Sequence, residues 1–226
     1  MVTLLKIEKK FDGVFLIDKK IATKNLIKNF KISEEKLMEA GDAQYRSWDP
    51  YHSKLSAAIL KGLKNLPIKE GSKILYLGAA SGTTASYVSD IVGKNGLVYC
   101  VEFAPRSMRD LIGVCEKRKN MLPLLNDARK PEEYERDVVG KMDVVYCDIA
   151  DPLEIKIFIE NSKKFLKKEG YGMIAIKSQS IDVTKNPKEI YEAALKKLSE
   201  KFRILEKMDL SPFTEDHLFA VVQYEG

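Results

Sequence analysis

The sequence predicts an α/β protein: a mainly parallel sheet with helices on both faces, preceded by a small β-rich segment. Three observations carry this. Apolar runs at 73–77, 97–101, 121–125, 143–147, 171–176 and 218–224 are mostly separated by stretches of helical character, as in strand–helix–strand units. The first run ends in a glycine turn, Gly78-Ala79-Ala80-Ser81-Gly82, that opens into helix-compatible residues. The second ends in Glu102, 20 residues after Gly82, the offset at which a carboxylate reaches ribose hydroxyls. A glycine turn alone is weak; joined to that carboxylate it points to an adenosine-containing cofactor.

The elements follow in order. Residues 4–8 and 13–18 are short strand-like runs, with Phe11-Asp12-Gly13 as the turn between them. Residues 21–32 mix polar and apolar side chains and are read as a source of further strand. Residues 41–51 are polar and aromatic and are read as a loop. Residues 53–63 are read as a helix capped by Ser53, with Leu55, Ile59 and Leu63 at four-residue spacing. Pro67 to Gly71 breaks the chain before the glycine-turn strand. Further helices are expected over 83–92, 106–118, 153–166 and 187–202. This divides the 226 residues into a small β-rich domain, 1–52, and a larger domain, 53–226.

Composition sets the class. Hydrophobic residues make up 45% and charged residues 31%, as in a chain that buries a sizeable core. No apolar run approaches the ~20 residues that span a bilayer, and residues 1–10 carry no signal-type apolar region. A cytoplasmic compartment is therefore expected. The odd count of three cysteines, Cys100, Cys115 and Cys147, argues against a disulfide framework. Their spacing matches no zinc pattern, so they read as buried apolar side chains and no metal is expected. The net charge of +5 is uneven: the first 70 residues hold 14 Lys and Arg against 9 Asp and Glu, and the rest balances. That third either steers a phosphate-rich partner or is a solvated lysine surface.

Candidate cofactor contacts fall at successive strand ends. Gly78 and Gly82 let the backbone turn tightly and approach a ligand. Ser81, Thr83 and Thr84 offer hydroxyls and amides at a helix start, able to hold a carboxylate as readily as a phosphate. Glu102 suits ribose hydroxyls, Phe103 an adenine face, and Asp127 an adenine amino group. No Walker-type Gly-Lys-Ser/Thr and no G-x-S-x-G elbow occurs, which disfavours nucleotide hydrolysis and serine hydrolysis. Asp148 and Lys177 end the next two runs; Lys54 lies on the helix before the glycine turn and His217 precedes the last run. Spacing alone does not bring these four together.

These motifs together resemble fibrillarin of the archaeal type, over nearly the whole chain. The resemblance rests on Tyr45-Arg46-Ser47-Trp48-Asp49-Pro50-Tyr51-His52-Ser53-Lys54-Leu55, Tyr76-Leu77-Gly78-Ala79-Ala80-Ser81-Gly82-Thr83-Thr84, Val101-Glu102-Phe103-Ala104, Asn126-Asp127-Ala128-Arg129-Lys130-Pro131, Cys147-Asp148-Ile149-Ala150 and Ile176-Lys177-Ser178-Gln179-Ser180-Ile181-Asp182. It implies a Rossmann-like class I methyltransferase fold and S-adenosylmethionine as cofactor. Gly78, Ala79, Gly82, Thr83, Thr84, Glu102, Phe103, Asp127, Ala128, Asp148, Ile149, Ala150 and Asp151 are the implied cofactor contacts. Lys54, Asp148, Lys177 and His217 match the family's Lys-Asp-Lys-His set. The resemblance also implies 2′-O-methylation of rRNA and tRNA. Partners would be a box C/D guide RNA with its target, a Nop-type scaffold protein and a kink-turn-binding ribosomal-type protein. Asp151 stands where Gln is usual, Asp49 where Asn is expected and Ser47 where Val is usual. Two other classes share some of the pattern: an NAD-type dehydrogenase, with the same strand–glycine–helix start, and a non-enzymatic RNA-binding subunit using the fold as a scaffold.

Overall fold

The structure, a computed structural model, describes residues 6–226. Leu4 and Leu5 of the first expected run lie outside the described residues. The N-terminal sheet holds β1 (Ile7–Phe11), β2 (Val14–Ile17), β3 (Lys20–Lys24), β4 (Leu37–Ala40) and β5 (Ala43–Ser47), all antiparallel in the order β1-β2-β3-β5-β4. Asp12-Gly13 closes the first hairpin, and Gly13 takes the positive φ, +76°, that such turns need. The further strand expected within 21–32 is β3, which ends at Lys24. One expectation needs correction here. The segment 41–51, read as a loop, contains β5, which pairs with both β3 and β4. Its inward positions, Gln44 and Arg46, are polar and buried, so the usual apolar alternation is inverted.

The second sheet follows α1 (Lys54–Leu60), shorter than expected but capped by Ser53, whose hydroxyl accepts from the Ser56 amide at 3.4 Å. Next come β6 (Lys73–Leu77), α2 (Thr83–Val92), β7 (Leu97–Glu102), α3 (Pro105–Lys117), β8 (Met121–Leu125) and β9 (Met142–Cys147). Then α4 (Glu154–Phe165), β10 (Leu166–Lys177), α5 (Ser178–Ile181), α6 (Pro187–Leu198), β11 (Phe202–Asp209) and β12 (His217–Tyr224) complete the chain. The order is β11-β12-β10-β9-β6-β7-β8, with β6 to β10 parallel and β11 and β12 antiparallel. β11 falls partly in the stretch read as helix to residue 202. It lies at the sheet edge with alternating charged residues, a weak strand signal.

Period-two alternation divides the core. Ile74 and Tyr76 of β6 face α2 and the N-terminal sheet, while Leu75 and Leu77 face α4 and α6. The three cysteines are buried. No helix among the described residues is long and apolar enough to cross a membrane.

A buried ion network locks the N-terminal sheet to α2. Asp90 accepts from Arg46 at 3.0 Å, from Arg118 at 2.7 Å, from the Thr23 hydroxyl at 2.8 Å and from the Leu26 amide at 2.9 Å. Arg46 also reaches Glu35 at 2.9 Å and stands 4.2 Å from the Tyr87 ring centre. Charges this deeply buried persist only when fully paired. Asp90→Ala leaves the Arg118 guanidinium with no carboxylate and Arg46 with Glu35 alone, and is expected to lower unfolding stability by about 3–5 kcal/mol, read as a lower urea midpoint. An unchanged midpoint would show that the network does not carry this weight.

Candidate active site

The crevice lies where the strand order reverses. From β6 the chain builds outward through β7 and β8, then returns to lay β9 on the other side of β6. Carboxyl ends of neighbouring strands diverge at such a point. Asp148 continues β9 and donates its amide to the Leu77 carbonyl at 3.0 Å. Gly78 passes so close that a Cβ there would lie 2.4 Å from the Asp148 carbonyl oxygen, and its φ is +80°. Only glycine suits that crossing.

Beside it opens a cavity of about 500 Å³, lined by Gly78, Ala80, Val101 to Phe103, Asn126 to Arg129, Asp148 to Asp151, and Ile157. Glu102 is fixed by two backbone donors: the Ala80 amide at 2.9 Å and the Ala104 amide at 2.8 Å. That grip also holds Ala80 at φ +48°, an uncommon conformation for a residue with a Cβ. Each Glu102 oxygen keeps a lone pair for a ligand hydroxyl. Phe103, 69% exposed, stands at the rim. Asp127 is gripped by Arg129, whose Nε lies 2.9 Å from Oδ2, and this pairing lowers its carboxyl below the usual carboxylate range. Arg129 also comes within 3.9 Å of Asp151, spanning the cavity mouth.

The four expected reacting residues converge next to this cavity. Lys54, the first residue of α1, holds Asp148 with both carboxylate oxygens in reach, at 2.9 and 3.2 Å. Lys177, the last residue of β10, pairs in antiparallel register with His217, the first of β12. His217 is buried, and its Nδ1 lies 2.6 Å from the Glu215 carbonyl. A carbonyl only accepts, so Nδ1 carries the proton and Nε2 keeps its lone pair. Burial holds the imidazole below its ordinary value, and the Lys54 and Lys177 cations push the same way. The Glu215 contact and Asp148 oppose them and lose. Lys54, Asp148 and Lys177 therefore all act on His217, and Lys54 holds Asp148 directly.

Of the expected cofactor contacts, Gly78, Glu102, Phe103, Asp127, Ala128, Asp148, Ile149, Ala150 and Asp151 line the cavity. Ala79, Gly82, Thr83 and Thr84 do not. Gly82 instead caps α2 at φ +88°, and the Thr84 hydroxyl donates to Ser53 at 3.2 Å, beside Lys54. Sequence reasoning missed Ala80, Val101, Asn126, Arg129 and Ile157 as lining residues. Arg129, two residues from Asp127 in a turn, was the most recoverable of these.

A seven-stranded, mainly parallel sheet with a strand-end crevice, joined to an antiparallel N-terminal sheet, defines a Rossmann-like methyltransferase. The fibrillarin family profile matches residues 5–226. A fibrillarin-like rRNA/tRNA 2′-O-methyltransferase of Methanocaldococcus jannaschii is 50% identical over 228 residues, 98% of each chain. Aeropyrum pernix fibrillarin, solved with natively bound S-adenosyl-L-methionine, superposes with a TM-score of 0.89 at 43% identity, covering 98% of this chain and 100% of that one. A chain of a fibrillarin/Nop5p complex superposes with a TM-score of 0.85 at 38% identity, covering 94% and 98%. The chain belongs to the fibrillarin family.

Lys54→Met removes a cation that lowers the His217 value and frees Asp148, which raises it; both changes act in one direction. The variant is expected to titrate His217 at higher pH than the parent by imidazole NMR. The chain has two histidines, so the signals separate readily. A shift downward, or none, would show that the four groups are not coupled in this way. The sign for the fold follows: as pH falls below 6.5, the unfolded chain takes up the His217 proton first, and the folded state loses stability.

Proposed function

We propose that this chain transfers a methyl group from S-adenosylmethionine to ribose 2′-hydroxyls of rRNA and tRNA, within a box C/D guide ribonucleoprotein. The observation that carries it is the Lys54–Asp148 pair meeting the Lys177–His217 pair beside the Glu102 crevice. The crevice suits the cofactor in size. Glu102, held by the Ala80 and Ala104 amides, would bind ribose hydroxyls, and Phe103 would lie against the adenine. Asp127 would share its carboxylate between Arg129 and the adenine amino group. Gly78, Ala128, Ile149, Ala150 and Asp151 complete the contacts inside the cavity, and Ala79, Gly82, Thr83 and Thr84, around the start of α2 and beyond its lining, are assigned to the same ligand. We assign residues 1–52 to a small β-rich domain and 53–226 to the methyltransferase domain.

When bound, S-adenosylmethionine supplies an already activated methyl group on a sulfonium. The protein's task is then alignment and charge control around the attacking hydroxyl. Positioning can contribute several kcal/mol of barrier lowering. Lys54 fixes the Asp148 carboxylate, which orients the 2′-hydroxyl and accepts its hydrogen bond. The Lys177 ammonium steadies the negative charge that develops as the hydroxyl proton passes to the Asp148 carboxylate and the oxygen takes the methyl group. The His217 imidazole, kept neutral, offers Nε2 without adding a third cation to the site.

Base reading falls to the guide. No RRM signature or zinc knuckle occurs in the sequence, and the assigned groups act on ribose and charge alone. A Nop-type scaffold is the docking partner, supported by the relative solved with Nop5p. A kink-turn-binding ribosomal-type protein anchors the guide, and the particle works in the cytoplasm. The isolated chain should methylate bare RNA only weakly; rapid, site-specific transfer by the chain alone would refute guide dependence. In the reconstituted particle, Lys177→Ala is expected to cut methyl transfer by about 10²–10³, with S-adenosylmethionine affinity by calorimetry near the parent's. Loss of cofactor binding in that variant would overturn the role given to Lys177.

A further inference from the structure

Glu154 is a fully buried carboxyl group that the reaction described above does not use. It opens α4, and its Oε1 accepts the Lys177 backbone amide at 3.2 Å, joining the helix to the end of β10. Its Oε2 is buried and has no hydrogen-bond partner among the described residues. From this geometry we infer that Glu154 is the positioning residue for Lys177: a buried acid that pins the end of β10 by its amide and, with no donor on its second oxygen, places no second negative charge beside Asp148. The inference rests on the role proposed for Lys177.

The surroundings of Glu154 determine its charge. Asp148 faces it from the end of β9 and Asp151 from the loop before α4; both disfavour a further anion. Lys54 on α1 favours one, but its ammonium is already held by both Asp148 oxygens. The Cys147 thiol and the Tyr191 hydroxyl on α6 also lie within its field. The Lys177 amide and the positive end of α4 favour the carboxylate. Those contributions are small beside the cost of an ionised oxygen with no donor in a dry interior. Burial and the two neighbouring acids push the carboxyl up to about 9.

An acid that is neutral at physiological pH can accept the Lys177 amide without drawing the Lys177 ammonium away from the reacting oxygen. Once ionised, it becomes a rival to Asp148 for the two lysines. Glutamine reproduces the neutral form in shape and as an acceptor, and it never ionises. Leucine removes the acceptor.

The test uses the full chain in the reconstituted guide particle. With Glu154→Gln, kcat near neutral pH is expected to stay within about twofold of the parent. The same variant should hold its kcat to higher pH where the parent declines toward pH 9. Glu154→Leu is expected to lose about tenfold or more in kcat, with KM for RNA and S-adenosylmethionine affinity nearly unchanged. A second readout needs no catalysis. The unfolded chain releases the Glu154 proton near 4.5, whereas the folded chain keeps it to about 9. Parent stability therefore falls with rising pH across that window, and Glu154→Gln should flatten the fall in thermal unfolding. Identical pH dependence of unfolding in parent and Gln variant would overturn the neutral acid. A Gln variant as slow as the Leu variant, or a Leu variant as fast as the parent, would overturn the positioning role. A parent particle with no 2′-O-methyl transfer would instead strike the functional reading, and the unfolding experiment would still report on Glu154.

Discussion

At the meeting of β6 and β9, the Leu77 carbonyl takes the Asp148 amide while Gly78 slides past the Asp148 carbonyl with no room for a Cβ. Both active regions depend on that closure. It sets the glycine turn, and hence the Ala80 amide that fixes Glu102, on one side. On the other it sets the Asp148 carboxylate at the distance Lys54 can span. A displaced strand end would move the crevice wall and the Asp148 carboxylate together, because they are two faces of one backbone crossing.

The N-terminal sheet enters the site through a relay of contacts rather than by lining it. Asp90, near the end of α2, is gripped by Arg46 and Arg118, so the helix cannot pivot on the sheet. Tyr87 of the same helix stacks on Trp48 with 4.8 Å between ring centres and donates to the Ser47 carbonyl at 2.8 Å. Ser56 ties α1 to the Trp48 carbonyl at 2.8 Å, and Thr84 ties the start of α2 to Ser53. Lys54 lies between those last two anchors. The apparently remote β5 thus fixes the cation that holds Asp148, so the buried ion network reaches as far as the crevice.

The features legible in the sequence were those with local physical causes. Apolar runs ending at Gly78, Glu102, Asn126, Asp148 and Lys177 gave the parallel strands, since burial on both faces demands continuous apolar side chains. The Ser53 cap and the Asp12-Gly13 turn were readable for the same reason. β5 was hidden because its inward residues, Gln44 and Arg46, are polar: Gln44 bonds Asn25, Asn29 and Glu39, while the Asp90 and Ser86 partners of Arg46 on α2 lie far away in sequence. β11 was hidden by its charged edge. Within the site, strand-end residues were found in place, but the Arg129 grip on Asp127 and the Glu154 contact to Lys177 depend on side-chain reach, which no periodicity encodes.

The two carboxyl groups flanking this crevice illustrate how position governs chemistry. Asp148 is partly open to solvent, with an ammonium on both its oxygens, so it can serve as a fixed anion facing a ligand. Glu154, a few residues on and wholly enclosed, meets one amide and, among the described residues, no cation within bonding distance. Two like groups set in such unlike surroundings mark a division of labour. Here the division leaves the lysines directed at Asp148 and the open crevice. A net cationic rim of Lys54 and Lys177 then confronts a polyanionic substrate, with one oriented carboxylate placed to meet its hydroxyl. For a reaction whose methyl donor is already activated, that arrangement demands little acid–base power from the protein and a great deal of geometric constancy, which the Gly78 crossing and the Asp90 network provide.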